Sequence, residues 1–325
     1  MADLIFTLNK VLPIILIMVI GYLVKKVKLV NRETLLNINK LVFRVFLPTS
    51  IFMSLYNSND LSDIDLKFVL FVLIGTTVIF IIGLFIAKQF IKDDLKKGPT
   101  LQAFYRANYA IIGIALTNEI LGYTSATAAF AALIGIPLFN VYATIALTIF
   151  IKDGEKVTVK STLIKILKNP IVIPCILGCL VLLIRMGFQE LGISFRLKDI
   201  EFLYKAATDI GKIASPIAIF ALGGLFEFSQ VSESKKELTI VLIGRLIVVP
   251  FIMLFIGYKV LNFDKEVMAV LIGLFAAPVA TSSAVMAKEM KNDGDYANQI
   301  VVWSTLLSMI TIFVSIYVFR ILGVF

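Results

Sequence analysis

The stretch LIGLFAAPVATSSAVMAKEM, from Leu271 to Met290, decides how the rest of the chain is interpreted. It is apolar enough to cross a membrane, but Pro278 lacks a backbone donor and clashes with the preceding helical turn. Hydroxyl residues begin at Thr281, and such residues are favoured N-caps of a new helix. The stretch therefore predicts a broken helix, with a proline-kinked structural helix as the alternative. Breaks at membrane depth are tolerated where the freed backbone groups are buried or line a watery cavity.

Composition places the chain in the membrane. Hydrophobic residues make up 59% of its 325 residues, against roughly 45–50% in a soluble domain. The net charge of +9 comes from basic residues between the apolar segments, so no nucleic-acid partner is expected. There is no histidine, and the two cysteines are Cys175 and Cys179. Histidine-based catalysis, a metal site and a disulfide framework are therefore not expected, and neither is a cofactor.

Ten apolar segments have lengths near the roughly 20 residues that a spanning helix needs. They fall at 4–24, 41–57, 67–87, 101–121, 126–150, 170–187, 207–226, 238–258, 266–287 and 298–322. Lysine and arginine cluster in the odd-numbered connections, which the positive-inside rule assigns to the cytoplasm. We therefore expect a multi-pass protein of the cell membrane, embedded in the lipid bilayer, with both termini extracytoplasmic.

Ten spans with both termini outside divide into two five-helix halves of opposite orientation, which is an inverted repeat. Weak internal similarity supports the repeat, because Pro48 and Pro216 each begin a Pro-x-x-Ile-Phe segment. We expect residues 1–150 to form the first repeat, 151–169 a short cytoplasmic connection and 170–325 the second repeat.

The repeat pairs the ninth span with the fourth, in which polar and small residues also interrupt the apolar run. Asn108 can donate and accept hydrogen bonds at once, and Gly113 permits an irregular backbone. The N-terminus of each second half-helix would offer free N–H groups and a positive dipole end, which suit a carboxylate. For Asn108 an interhelical hydrogen bond is the alternative role, and for Tyr109 a place in the core. The substrate ligands expected at this crossing are Asn108, Tyr109, Gly113, Ala277, Pro278, Thr281 and Ser282.

Ionisable side chains within spans are functional candidates because they are costly in a membrane. Arg106 lies close to the expected crossing and could attract an anion, although a side chain that reaches the cytoplasmic headgroups is the alternative. Asp209 and Lys212 lie one turn apart in the seventh span, where they could form a structural pair or take part in proton coupling. Arg44 and Arg245 lie near the inner ends of their spans, so we expect both to snorkel.

Short motifs recur in order along the spans. They are Asn108–Tyr109 with Gly113–Ile114, Asn169–Pro170, Pro216 with Ile219–Gly223, Arg245 with Pro250, Pro278, and Ser304–Thr311. Together they resemble the auxin efflux carrier family, which includes plant PIN-type carriers and bacterial malate and malonate permeases. The resemblance implies an all-α membrane fold with two inverted five-helix repeats, whose broken helices four and nine cross as in bile-acid carriers and sodium/proton antiporters.

The resemblance also implies that the helices form two groups with different roles. Helices 1, 2, 6 and 7 would form a scaffold, through which a homodimer could form, and helices 3–5 and 8–10 would form a transport domain that moves in elevator-type alternating access. Two features depart from the plant members. Ala115 stands where they carry a proline, so a gentler break is expected in the fourth span. The plant members have a long cytoplasmic loop between the halves, and the short connection at 151–169 does not imply phosphorylation control of the plant kind.

The sequence thus favours a secondary transporter of small organic anions, such as carboxylates or auxin-like acids. No GxxxxGK[ST] motif occurs, so direct use of ATP is not expected. The runner-up is an ion-coupled carrier of a neutral or cationic solute, which would need an acidic residue at the crossing. A membrane enzyme is disfavoured because serines such as Ser282 have no histidine base. A channel shares this composition and differs only in lacking saturable flux.

Overall fold

The structure is a computed structural model, and it describes residues 1–57, 65–151, 171–190, 196–226 and 234–325. Within these ranges the chain is helical, and the β pairing consists of one isolated bridge. The expected connection at 151–169 lies outside the described residues except for Ile151, and so does the Asn169–Pro170 motif.

The described helices follow the apolar segments. The first group is α1 (Ala2–Lys26), α2 (Arg32–Leu41), α3 (Leu47–Asn57), α4 (Leu66–Phe90), α5 (Asp94–Tyr105), α6 (Ile114–Leu121) and α7 (Ala126–Thr148). The second group is α8 (Val172–Glu190), α9 (Glu201–Leu225), α10 (Lys235–Ile243), α11 (Val249–Phe255), α12 (Lys265–Phe275), α13 (Ser282–Glu289) and α14 (Gly294–Ile321). A 3-10 turn occupies Leu197–Asp199, and π-helical turns occupy Val42–Phe46, Tyr109–Gly113, Gly244–Val248 and Ile256–Val260.

Among the described residues, seven helices are long and apolar enough to cross a membrane. Two of these seven, Arg32–Asn57 and Lys235–Val260, contain π-helical turns. There are also two shorter apolar helices, Tyr109–Leu121 and Val172–Arg185. The second span begins earlier than its apolar segment because the Asn31 side chain accepts a hydrogen bond from the Thr34 N–H at 2.7 Å. The chain is a multi-pass membrane protein, as its composition predicts.

Close backbone contact joins α1 to α9. A Cβ atom added to Gly21 would lie 2.1 Å from the carbonyl oxygen of Phe220, and one added to Gly223 would lie 2.0 Å from that of Met18. Without side chains at these two positions the helix backbones can approach each other directly, as small residues allow in membranes. α3 packs against α8 and α9, whereas α4, α5 and α7 pack against one another.

Candidate functional site

Both of the predicted broken helices are interrupted in the structure. The first stops at Tyr105 and resumes with the π-helical turn at Tyr109, and the second stops at Phe275 and resumes at Ser282. A proline kink would leave the second helix continuous, so that alternative is wrong. The first interruption is the shorter of the two, as expected from Ala115, which lies inside regular helix α6.

The two interruptions pair with each other in antiparallel fashion, so that each satisfies backbone groups of the other. Two hydrogen bonds form this pairing and define the bridge between Ala107 and Val279: one of 2.8 Å from the Asn108 N–H to the Pro278 carbonyl, and one of 3.1 Å from the Ala280 N–H to the Arg106 carbonyl. From α14, the Ser304 Oγ accepts a further bond from the Val279 N–H at 3.1 Å. Three of the N–H groups freed by the breaks, those of Asn108, Val279 and Ala280, are therefore bonded within the protein, as membrane depth requires.

Arg106 points into the protein at this crossing and is only 6% exposed. Its Nη2 donates to Asn140 Oδ1 at 3.0 Å and to Ser282 Oγ at 3.1 Å, and its Nη1 donates to the Met286 sulfur at 2.8 Å. The Gln102 amide, turned so that its oxygen faces Arg106, accepts from Nη1 at 2.9 Å. All these acceptors are neutral, and no carboxylate of the described residues pairs with Arg106. The headgroup alternative for Arg106 is therefore wrong.

Arg245 is completely buried, so the prediction that it snorkels is wrong. It lies in the π-helical turn Gly244–Val248 and donates to backbone carbonyls where α5 and α12 end. The acceptors are Phe104 at 3.3 Å, Leu274 at 3.3 Å and Ala277 at 2.6 Å. Carbonyls at helix ends lack partners within the helix, and here they hold the guanidinium inside.

Asn108 and Tyr109 are both buried beside the pairing, at 4% and 1% exposure. The Asn108 Nδ2 has no hydrogen-bond partner in the described part of the chain, so this amide group is available to donate hydrogen bonds. The Tyr109 hydroxyl instead donates to the Ala128 carbonyl in α7 at 2.9 Å. This bond corresponds to the core role that the sequence left open for Tyr109.

Gly113 lies in the crossing for a different reason from the one predicted. Its backbone is helical, with φ −62° and ψ −49°, so no irregular geometry requires a glycine. A Cβ atom here would lie 2.6 Å from the carbonyl oxygen of Gly273. Close packing of the two broken helices, and not backbone freedom, therefore explains this glycine.

The predicted pair Asp209 and Lys212 lies on an exposed face of α9. The Lys212 Nζ is 3.9 Å from the Asp209 Oδ1, and the two side chains are 73% and 60% exposed. Leu222, which lines the cavity described next, lies about 20 Å further along the same helix. These contacts match the structural alternative for the pair.

A cavity of about 550 Å³ opens at the N-terminus of α13, and we call it the α13 cavity. Thr281 and Ser282 line it, and Thr281, the N-cap residue of α13, makes no side-chain capping bond. Its lining is mainly apolar and includes the charged residues Arg32, Lys288 and Asp295. The other expected ligands, Asn108, Tyr109, Gly113, Ala277 and Pro278, are buried in the crossing behind this cavity.

Known proteins resemble the chain over most of its length. A model of the membrane transport protein family matches residues 6–316. The chain belongs to this family, the auxin efflux carrier family. This membership indicates a membrane transporter, and the resemblance found in the motifs is confirmed.

Two relatives illustrate how far this transporter has diverged. An "Uncharacterized transporter" of Methanothermobacter thermautotrophicus is 25% identical over 311 residues, which cover 93% of this chain and 95% of the relative. The "Uncharacterized transporter YfdV" of Escherichia coli strain K12 is 26% identical over 290 residues, which cover 87% and 88% of the two chains.

The transporter has a second cavity, of about 710 Å³, near the N-terminus of α12. Its lining includes Asp65, Asp264, Glu266 and Tyr123. The Glu266 carboxylate accepts from the Tyr123 hydroxyl at 2.9 Å and from Ser125 Oγ at 2.7 Å. Partial burial and the bond to Glu266 raise the pKa of Tyr123 to about 12, so the hydroxyl remains a donor at neutral pH. This acidic cavity lies at the opposite end of the second broken helix from the α13 cavity.

Four residues of the transporter's crossing were missed by reasoning from the sequence as site residues: Gln102, Asn140, Gly273 and Ser304. Asn140 interrupts the apolar run of α7, and this is the same signal that identified Asn108. Ser304 lies in a motif that supported the family resemblance, but the motif gave it no role. Gln102 is likewise a polar residue in the apolar fourth span, one helical turn before Arg106. For Gly273 the sequence carries no comparable signal, because its importance depends on the partner helix.

Proposed function

We propose that this transporter is a secondary carrier of small organic anions, such as carboxylates or auxin-like acids. The observation that carries the proposal is the sign of the buried charge. Arg106 and Arg245 are both buried at the crossing, and no aspartate or glutamate is buried among the residues that the structure describes. Because charge inside a membrane protein acts at low dielectric, this imbalance favours an anionic substrate.

The α13 cavity is the proposed substrate site. Its uncapped helix N-terminus has N–H groups and a positive dipole end that suit a carboxylate. Ser282 is exposed to the cavity and also contacts Arg106, so the guanidinium lies directly behind the position of the proposed carboxylate. The apolar side chains of the cavity would contact the rest of the substrate.

We further propose that the helices form two inverted five-helix repeats and that transport is of the elevator type. The α13 cavity supports this arrangement, because α2 and α9 line one side of it and α13 and α14 line the other. If α1, α2, α3, α8 and α9 act as the scaffold, a sliding movement of the remaining helices would carry the site across the membrane. The backbone contact between α1 and α9 would keep the scaffold rigid.

The alternative is an ion-coupled carrier of a neutral or cationic solute with the same fold. The acidic second cavity favours this candidate, since Asp65, Asp264 and Glu266 lie together there. Asp264 and Glu266 are at the start of α12 and Asp65 is at the start of α4, however, and none of the three is at the crossing. We therefore rank the anion carrier first.

Uptake of a panel of labelled carboxylates into proteoliposomes tests the proposal directly. We expect saturable uptake of at least one carboxylate that other carboxylates inhibit. Imposed pH and voltage gradients would identify the driving force. Saturable uptake of cations or neutral solutes alone would replace the proposal with its alternative, and flux that does not saturate would indicate a channel.

Asn108→Ala should reduce substrate affinity by more than about tenfold. In this proposal the substrate carboxylate reaches from the α13 cavity to the Asn108 amide behind it, so the substitution removes one or two hydrogen bonds to a charged group, each worth roughly 1.5–3 kcal/mol. Stability should change little, because the Asn108 Nδ2 has no partner among the described residues. Both quantities can be measured on purified protein by ligand binding and thermal unfolding.

Tyr109→Phe is the matched control for this experiment. It removes a bond to Ala128 in the core, so stability should fall by about 1 kcal/mol while affinity stays near wild type. If Asn108→Ala behaves like this control, Asn108 has a structural role and leaves the proposed site.

We propose that both termini lie on the extracytoplasmic side of the cell membrane, because the basic connections are assigned to the cytoplasmic side. A periplasmic-type reporter fused after Phe325 should therefore be active, and a reporter that works only in the cytoplasm should be silent. The opposite pattern of reporter activity would reverse the topology and move the α13 cavity to the outer face.

A further inference from the structure

Arg245 connects three parts of the transporter that are distant in sequence. Its guanidinium, carried by the helical segment α10–α11, donates to Phe104 near the end of α5 and to Leu274 and Ala277 around the end of α12. Gly244 brings this segment close, because a Cβ atom there would lie 2.2 Å from Cε1 of the Phe104 ring. Arg245 therefore donates hydrogen bonds to carbonyls near the end of the first half of each broken helix.

The charge of Arg245 matches these two helix ends. The C-terminus of a helix carries roughly half a negative elementary charge, so two converging ends present about one. A single guanidinium offsets that charge and satisfies carbonyls that have no water to bond with at membrane depth. Among the described residues no carboxylate pairs with Arg245, so the carbonyls are its counter-charge.

Arg106 has a different environment, in which side chains and not helix ends accept its hydrogen bonds. Asn140, Ser282 and Met286 are neutral, and each accepts through a side-chain atom and not through a backbone carbonyl. The two arginines buried at the crossing therefore bind different groups: Arg245 binds carbonyls around helix ends, and Arg106 binds side chains.

We infer that Arg245 is a positioning residue, which holds the ends of α5 and α12 together and offsets their dipoles, so that the antiparallel pairing at Ala107 and Val279 keeps its register. This role goes beyond the proposed function, because it concerns the geometry of the crossing whatever the substrate is. A planar fork with several donors suits three carbonyls from two helices, whereas a lysine provides a point charge.

Hydrogen–deuterium exchange on the full chain in lipid nanodiscs tests this inference. The Asn108 and Ala280 amides donate the two hydrogen bonds of the pairing, so peptides that contain them report its opening. In Arg245→Met these peptides should exchange at least about tenfold faster, because bonds from a charged donor are lost. In Arg245→Lys the increase should be smaller, because the positive charge is kept.

Arg44→Met is the matched control. Arg44 also lies in a π-helical turn, Val42–Phe46, but its side chain is exposed, so exchange at the crossing should equal that of wild type. If Arg245→Met does not fold, Arg245→Lys carries the test, and faster exchange confined to the crossing peptides supports the inference. Unchanged exchange at the crossing in a folded variant, or faster exchange limited to α10–α11, would overturn it. No substrate is present, so a failure of carboxylate uptake leaves this result unaffected.

Discussion

Replacing Arg106 by methionine should weaken carboxylate binding by more than about tenfold while the transporter remains folded. A positive charge about 8 Å from a carboxylate contributes roughly 2 kcal/mol at an effective dielectric constant near 20, and about 1.4 kcal/mol already changes affinity tenfold. Arg106 is buried among neutral acceptors, which do not offset its desolvation as an ion pair would. Methionine removes this cost but leaves the amide oxygens of Gln102 and Asn140 without their donor, so the two effects oppose each other and the loss of stability should be at most about 1–3 kcal/mol.

Affinity and thermal stability measured on the same purified protein test this expectation. Arg106→Lys keeps the charge and should retain most of the affinity. Arg44→Met removes an exposed arginine and should change neither quantity. A clear loss of stability in Arg106→Met, with affinity near wild type, would make Arg106 a structural residue and remove the main support for an anionic substrate.

Gly273→Ala should destabilise the transporter by about 1–3 kcal/mol, as overpacking of a closely packed site does. The added Cβ would lie 2.6 Å from the carbonyl oxygen of Gly113 and 2.8 Å from Thr117 Oγ1. Both atoms belong to the other broken helix, and the first is backbone, so relief requires the two helices to move apart. Because the crossing holds the site, we also expect weaker substrate binding. Thermal unfolding of the purified variant measures the first effect.

Gly135→Ala is the control for the second prediction. Gly135 is buried in α7, but the nearest atoms to its added Cβ are 3.7 Å away, which is ordinary contact. Alanine favours a helix over glycine by up to about 1 kcal/mol, so this variant should be as stable as wild type or more so. Equal unfolding temperatures for the two variants would show that the two broken helices do not pack as tightly as the structure indicates.

The breaks themselves could be predicted because their causes are local. Pro278 has no N–H group, and the hydroxyl residues after it favour a new helix start, whatever surrounds them. Hydropathy indicated the membrane-spanning helices for the same reason, since it depends on neighbouring residues and on the bilayer. The fourth span was harder, because Asn108 marked its break without proline.

The roles of individual side chains needed the tertiary structure. Arg245 was expected near the headgroups from its position in the span, but carbonyls of α5 and α12 accept its hydrogen bonds in the interior. Gly113 was expected to bend the backbone, but it makes room for Gly273.

Local chemistry therefore accounts for the membrane location and for the break at Pro278, because the effects of a missing donor and of a run of apolar residues do not depend on distant parts of the chain. The partners of Arg106 and Arg245 follow from tertiary contacts alone. All of them except Gln102, which lies one turn before Arg106, come from other parts of the chain. The direction of a buried side chain is set by whichever unsatisfied groups the fold brings within hydrogen-bond distance.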